Sequence, residues 1–412
     1  MQSAGTWEGY ERGSSGYKRI LIALLCAGIA TFAQLYSVQG VLPIMAQDLE
    51  IDAAQASLAV SAATLGLAVA VIPWSLMSDR FGRRRTMVTA VIAATILGVA
   101  MSLMPSFELL VGMRFLEGMA LGGIPSVAMA YLAEEVNPVH AAIAAGSYIS
   151  GTTLGGLSGR IVAAPVADFF GWRAGTLVVA IYAAMAAVAF ILLAPKQKGF
   201  RPQAVRLTGP GGVHERLLIN LKDPGLVSLY MQGFLLMGGF VAVYNYIGFH
   251  LGDEPFNVPP SIVSVLFLSY LTGTWSSAQA GRIAARFGRR KVLITSSLIM
   301  LGGLLMMLIP WLPAVVVGLL IFTAGFFGAH SIANGWVPAR ATVGRAQASS
   351  LYTLFYYGGS SVFGYVAGLF LTRFGWNGAV AFIGALIVVA IALTVAFLRR
   401  PVTPEAVQPS GD

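Results

Sequence analysis

Cysteine occurs once in 412 residues, at Cys26. That excludes an intrachain disulfide and is too little for a cysteine-based metal site or redox motif. Cys26 lies inside an apolar run and reads as a small packing residue. Charge is scarce too: Asp, Glu, Lys and Arg make up 10% of the chain, where soluble domains carry roughly 25%. A surface so poor in charge is not built for water alone. The 17 acids are outnumbered by 26 bases, a formal net charge of +9, yet the bases fall in short blocks between apolar runs. No solvated basic face tracks a phosphate backbone, so nucleic-acid binding is excluded. With four histidines, the chain has no His-rich metal spacing and no H-E-x-x-H helix. It also lacks paired carboxylates in its apolar segments and a G-x-x-x-x-G-K-[ST] loop, which argues against a membrane-embedded enzyme and against ATP as a driver.

Apolar length is abundant instead. Hydrophobic residues are 57% of the chain and glycines number 48, and glycine lets membrane helices approach closely. A bilayer core needs about 20 apolar residues per helix. Twelve segments meet that length: 20–45, 53–77, 87–104, 107–131, 141–166, 172–193, 226–249, 261–281, 292–309, 314–337, 348–371 and 376–398. The first is too long for the apolar region of a cleaved signal peptide. An even count puts both termini on one side, and 22 of the 26 Lys and Arg then share that side. The positive-inside rule makes it cytoplasmic. The four bases left over are Arg114, Arg160, Arg173 and Arg373.

The hexapeptide Arg-Phe-Gly-Arg-Arg-basic occurs at Arg80 to Arg85 and again at Arg286 to Lys291, 206 residues apart. Tyr148, Gly151 and Gly156 recur as Tyr356, Gly359 and Gly364, and Phe170-Gly171-Trp172 recurs as Phe374-Gly375-Trp376. Two parallel copies imply two halves related by an axis along the membrane normal. The expected organisation is a cytoplasmic N-terminal tail (1–18), a first six-helix bundle (19–194), a cytoplasmic linker (195–225), a second bundle (226–400) and a C-terminal tail (401–412). The stretch to Tyr17 is polar and expected to be disordered. The linker is basic and proline-rich, and reads as a solvated connector in preference to a surface-lying amphipathic helix at 213–221.

The run Ser75-Leu76-Met77-Ser78-Asp79-Arg80-Phe81-Gly82-Arg83-Arg84 resembles the loop motif G-x-L-x-D-R-x-G-R-K of the major facilitator superfamily. Ser75 and Met77 depart from it, and the second copy, from Gly281, has Ala285 in place of the acid. The resemblance covers the chain from Arg19 to Arg400. It implies an all-α integral membrane protein whose 12 transmembrane helices form two pseudo-symmetric six-helix bundles. It also implies a cytoplasmic gate built on Asp79, Arg80, Gly82, Arg83, Arg84, Arg286, Gly288 and Arg289. Asp79 is expected to face the helix N-terminus near Ala348, where the macrodipole favours a carboxylate by ~0.3–1 kcal/mol. Glu134 and Glu135 are candidate partners for the loop arginines.

Arg114-Phe115-Leu116-Glu117-Gly118 is similar to the family's R-x-x-Q-G pattern on helix four, which the resemblance ties to proton coupling. Two opposite charges at i, i+3 can instead form a static pair, and an unpaired charge at mid-membrane costs at least ~2.5–3.5 kcal/mol. The run from Ser147 to Gly156 is similar to the antiporter motif G-x-x-x-G-P-x-x-G-G. Gly151, Gly155 and Gly156 match, Ser147 replaces the first glycine and Thr152 the proline. Residues Ala30 to Tyr36, Glu134-Glu135 and the run from Tyr148 to Gly159 are similar to the YnfM-type subgroup of bacterial inner-membrane transporters. Gln34, Tyr36, Gln39, Tyr244, Asn245, Trp275, His330, Asn334 and Tyr356 are candidates for a substrate cavity.

The resemblance implies proton-driven export of a small organic solute, drug-like or sugar-like, from a monomer in a bacterial inner membrane, by alternating access. Its partners are the solute, protons and the bilayer, with no cofactor and no metal. Uptake by symport or facilitated diffusion stays open at this point, as does, more remotely, a sensor or scaffold that transports nothing.

Overall fold

The computed structural model describes residues 7–202, 208–209 and 211–398. In chain order the helices are α1 (Ser15–Tyr36), α2 (Leu42–Asp48), α3 (Ala53–Phe81), α4 (Arg83–Ser102), α5 (Phe107–Leu121), α6 (Ala128–Glu135) and α7 (Ala141–Leu193). The second half continues with α8 (Val213–Lys222), α9 (Pro224–Gly252), α10 (Pro260–Val265), α11 (Tyr270–Phe287), α12 (Arg289–Met306), α13 (Leu312–Arg340) and α14 (Arg345–Phe397).

Among the described residues seven helical segments are long and apolar enough to cross a membrane as they stand. The described residues nevertheless make twelve crossings. α7 and α14 have 53 residues each and would each run about 80 Å if straight, against a hydrocarbon core of about 30 Å. Each folds back at a glycine in the left-handed region, Gly171 at φ 81° and Gly375 at φ 67°. Gly175 then packs on Ala163, and Phe382 stacks on Phe370 at 4.5 Å. Three more crossings are interrupted or polar. α5 and α6 are one crossing broken around Gly122, Gly123 and Pro125, α10 leads into a serine- and threonine-bearing α11, and α12 opens on Arg289, Arg290 and Lys291.

The halves repeat in three dimensions as they do in sequence. A Cβ on Gly151 would lie 2.2 Å from the Leu25 carbonyl of α1, and one on Gly359 1.9 Å from the Phe234 carbonyl of α9. In both halves, then, a glycine lets the fifth crossing touch the first. Trp172 Nε1 donates to Asp48 Oδ2 at 2.8 Å, and its counterpart Trp376 Nε1 to the Met307 carbonyl at 3.1 Å.

An even number of crossings leaves Trp7 and Leu398 on the same face, here the terminal face; the other is the distal face. The halves are joined toward the distal face. Gln39 bonds Asn245, Arg160 bonds Tyr270, and the Ser261 N–H donates to Asp168 at 3.0 Å. α3 meets α14 there as well, Ala54 against Gly368 and Ser61 against Gly364. Among the described residues no hydrogen bond or ion pair joins the two halves near the terminal face.

Two expectations are corrected. Residues 1–6 and 399–412 lie outside the described residues, but the segment from Trp7 is not a disordered tail. Tyr10 forms a parallel bridge to Val136, Trp7 Nε1 donates to the Glu134 carbonyl at 3.2 Å, and Lys198 lies 4.9 Å over the Trp7 ring. Aromatic side chains supply the ordering that glycines and serines seemed to forbid. The linker is likewise more than a connector. Its start docks on the first half, and α8 docks on the second half, where Asn220 Nδ2 donates to the Val343 carbonyl at 3.1 Å.

Candidate functional site

The two basic loops share a backbone and differ in chemistry. Gly82 and Gly288 both adopt positive φ, 100° and 87°, ending one helix and starting the next with no spare residue. Arg84 donates to the Ala194 and Ile191 carbonyls at 2.9 and 3.0 Å. Arg290, its repeat, donates to the Val395 carbonyl at 3.1 Å. Arg80 and Arg286 each lie over the next phenylalanine, 5.3 and 5.4 Å from the ring. Arg83 is buried, paired with Asp79 and held by Glu134 at 2.9 Å. The repeat position Arg289 is exposed, since Ala285 replaces the acid. The Arg83 guanidinium is pushed down by burial but held above its ordinary value by the hydrogen bonds and charges of Glu134 and Asp79.

The expected contact of Asp79 with the helix start near Ala348 is absent among the described residues. Among the described residues no hydrogen bond or ion pair joins the halves at this face, and Asp79 pairs with the arginine of its own loop. Glu135 is no partner of the arginines either. Its Oε1 accepts the Lys198 and Gly199 N–H groups at 2.7 and 2.8 Å, fastening the linker start. Burial raises its carboxyl above the usual range, against the pull of those N–H groups.

Arg114 and Glu117 are buried, 0% and 1% exposed. Arg114 Nη1 donates to Glu117 Oε2 at 2.7 Å. Its remaining bonds go to the Gln34, Leu35 and Ala59 carbonyls at 3.1, 2.6 and 2.8 Å. The first two are carbonyls of the last turn of α1, the negative end of its dipole, and that of Gln34 also accepts from the Ser37 N–H and hydroxyl. The other Glu117 oxygen approaches the bare face of Gly98, as does Gln34 Oε1: an added Cβ there would lie 3.0 and 2.4 Å from them. Gln34 Oε1 is buried without a hydrogen-bond partner. A helix four residue on α5, a helix one residue on α1 and a small residue on α4 thus enclose one acid.

The antiporter-like glycines on α7 are packing surfaces. Gly155 meets Ile29 and Gly28, Gly159 meets Ala33, and Gly28 meets Gly151 in return. Gly156 differs. A Cβ there would lie 3.2 Å from Arg160 Nη1, and its carbonyl accepts from that nitrogen at 2.5 Å. Sequence reasoning set Arg160 aside as a leftover base, yet it is the hub of the distal closure. It is 0% exposed. Nε donates to Gln39 Oε1 at 2.6 Å and Nη2 to the Tyr270 hydroxyl at 3.0 Å. The guanidinium lies 4.1 Å from the Tyr36 ring centre and 4.7 Å from that of Tyr270. Gln39 Nε2 in turn donates to Asn245 Oδ1 at 2.6 Å. The signal that would have found Arg160 was its position alone: a base inside an apolar run, with no loop to account for it.

The other cavity candidates divide. Tyr36, Gln39 and Asn245 join Arg160 at the junction of the halves. His330 Nδ1 meets the Tyr352 hydroxyl at 2.9 Å, its ring flanked by Phe326 and, at 4.6 Å, Tyr356. Asn334, one turn on, is exposed. Tyr244 is buried, its hydroxyl 2.6 Å from Thr323, and it borders a small crevice at the junction with Gln39 and Pro43. Trp275 is 65% exposed beside exposed Leu271 and Leu268, an outward apolar stripe that does not join the cluster.

The Major Facilitator Superfamily family model matches residues 24–278 and 253–412. The chain is 40% identical over 390 residues to the inner membrane transport protein YnfM of Escherichia coli (strain K12), covering 95% of this chain and 93% of that protein. It is 37% identical over 391 residues to the MFS-type transporter YybF of Bacillus subtilis (strain 168), covering 95% and 96%. Among solved structures it resembles a bacterial homologue of the human lysosomal transporter Spinster, with a TM-score of 0.75 at 16% identity over 94% of this chain and 98% of that one.

Proposed function

The chain belongs to the major facilitator superfamily of membrane transporters, and on that premise we propose that it exports a small organic solute in exchange for protons. It is a multi-pass protein of the inner membrane. The bias of Lys and Arg toward the terminal face supports a cytoplasmic location for that face. The inter-half bonds on the far side, with none among the described residues on the cytoplasmic one, suit a conformation that loads its solute from the cytoplasm. Glycines on α7 that resemble the antiporter motif favour export over uptake.

The single observation that carries proton coupling is the buried Arg114–Glu117 pair with the orphaned Gln34 Oε1 beside it. Ionised, Glu117 is balanced by Arg114 but leaves the Gln34 oxygen without a donor. Protonated on its free oxygen, Glu117 gains an O–H that Gln34 Oε1 can accept, while its other oxygen still accepts from Arg114 but no longer balances the arginine's charge. The two states satisfy different partners, so the proton biases how α1, α4 and α5 pack. Alternating access then follows from rocking the halves about a midplane site. Drug-like or sugar-like solutes remain the substrate classes of this reading.

The test is proton movement in liposomes holding the purified protein and a pH-sensitive dye, with a solute library applied to wild type and Glu117→Gln. Solute-dependent proton flux, lost in the variant while solute binding persists, is the expected result. Flux retained by Glu117→Gln removes the acid from the mechanism. Solute movement without proton flux leaves a facilitator with a structural ion pair.

A further inference from the structure

Two arginines are wholly buried in the first half, and they are treated differently. Arg114 has Glu117. Arg160 makes no ion pair among the described residues: its three hydrogen bonds go to an amide oxygen, a backbone carbonyl and a phenol. Its charge is softened only by the faces of Tyr36, Tyr270 and, at 5.2 Å, Phe267. A guanidinium has five N–H donors in a planar fork, so two are left over. Charges inside a membrane protein pair with each other or with backbone carbonyls and mark substrate or ion paths; Arg160 has one such carbonyl and no acid among the described residues.

The surroundings give that charge a direction. Tyr36, Gln39 and Arg160 belong to the first half, Tyr270 and Asn245 to the second. When the distal face opens, Tyr270 leaves with its own half, removing one hydrogen bond and one ring face from Arg160. Neutral side chains would suffice for a latch that only holds the halves together. A cation without a counter-ion, covered by two phenol rings from opposite halves at the head of the central path, is suited to a ligand that brings the missing negative charge. Gly156 keeps the fork in place, since any side chain there would press on Nη1.

We propose that Arg160 is an anion-recognition residue and that the transported solute carries a carboxylate on a planar, aromatic body, the carboxylate taken by the Arg160 fork and the ring by Tyr36 and Tyr270. This names a substrate class within the transport reading and rests on it. The probes are benzoate, 4-hydroxybenzoate and salicylate, each against its neutral amide, and acetate as a plain ion. Thermal stabilisation of the purified full chain in detergent reports binding, and the same compounds are run as fluxes in liposomes.

At least tenfold tighter binding of an aromatic carboxylate than of its amide is expected. The preference should be lost in Arg160→Gln and partly kept in Arg160→Lys. Tyr270→Phe frees another N–H while leaving the charge, and should tighten the carboxylates several-fold without changing the amides; it also serves if Arg160→Gln does not fold. Equal binding of carboxylates and amides overturns the inference, as does a folded Arg160→Gln that keeps the preference. So does a Tyr270→Phe effect equal in both series, which is what a latch alone would give. If neutral solutes are transported and no carboxylate binds, the anion role falls and the transport reading stands. If no solute of any charge moves, the transport reading itself fails.

Discussion

Asp223 ends the linker and starts the second half, and its two jobs can be separated. Oδ1 accepts the Gly225 and Leu226 N–H groups at 2.7 and 3.3 Å, capping α9, and the carboxylate takes Arg340 at 2.9 Å. Burial pushes its pKa up, but Arg340 and the two N–H groups outweigh that and hold it below the ordinary 3.8. A depressed carboxyl contributes stability that is fully present above the unfolded value and is lost as pH falls through the folded one. The melting temperature in detergent should therefore drop more steeply below about pH 4 in wild type than in Asp223→Asn. Asn keeps the cap, so Asp223→Ala should cost about 1 kcal/mol more than Asp223→Asn at pH 7. An equal loss in both would show that the ion pair alone matters. At this scale the sequence was informative where a charge stood beside its partner. Arg114 and Glu117 are three residues apart and read as a pair at once. Arg160 finds Gln39 121 residues back and Tyr270 110 residues ahead, and no local pattern carries that.

The packing of α7 against α1 gives the glycines that resemble the antiporter motif a physical role in the fold. Glycines four apart resembled an antiporter signature, and in the fold they are the strip on which two backbones touch. In lipid no hydrophobic drive holds helices together, so close backbone approach must supply the attraction. Gly155→Ala would set a methyl 2.7 Å from the Ile29 Cα, a backbone atom that cannot swing aside. Overpacking of this kind costs about 1–3 kcal/mol, and the melt should fall accordingly. Gly146 lies on the same helix with nothing within 4 Å of an added Cβ, so Gly146→Ala should be neutral or slightly stabilising, by up to about 1 kcal/mol. A loss as large at Gly146 would mean that helix bending, not contact, is what these glycines provide. The crossings themselves were legible because their stretches of sequence are long and mostly apolar, even where the helix is interrupted. The ordered N-terminal segment and the docking of α8 were not: both depend on surfaces that only the folded bundles create, Glu134 and Val136 for one, Val343 for the other.

Which face is open is a property of the whole molecule, and hydropathy carries no trace of it. Repeats and basic loops disclosed two related halves, but two related halves are equally compatible with a molecule closed at either end. The distinction lies in pairs such as Asp168 with Ser261 and Gln39 with Asn245, which join the halves here, and in Asp79, which is turned toward Arg83 instead of the second half. If the halves rock as rigid bodies, closing the terminal face must open the distal one. Spin labels on Asp168→Cys and Ser261→Cys, in a Cys26→Ser background, should give one short distance that lengthens as labels on Val139→Cys and Val343→Cys, exposed at the terminal face, draw together. Adding a transported solute, or changing the pH, should shift both populations in opposite senses. Glu117→Gln should hold both fixed against pH but not against solute. If the two distances vary independently, the halves do not move as units. The seal around Arg160 would then be a separate gate, opened by local motion of α1 and α11 instead of by rocking.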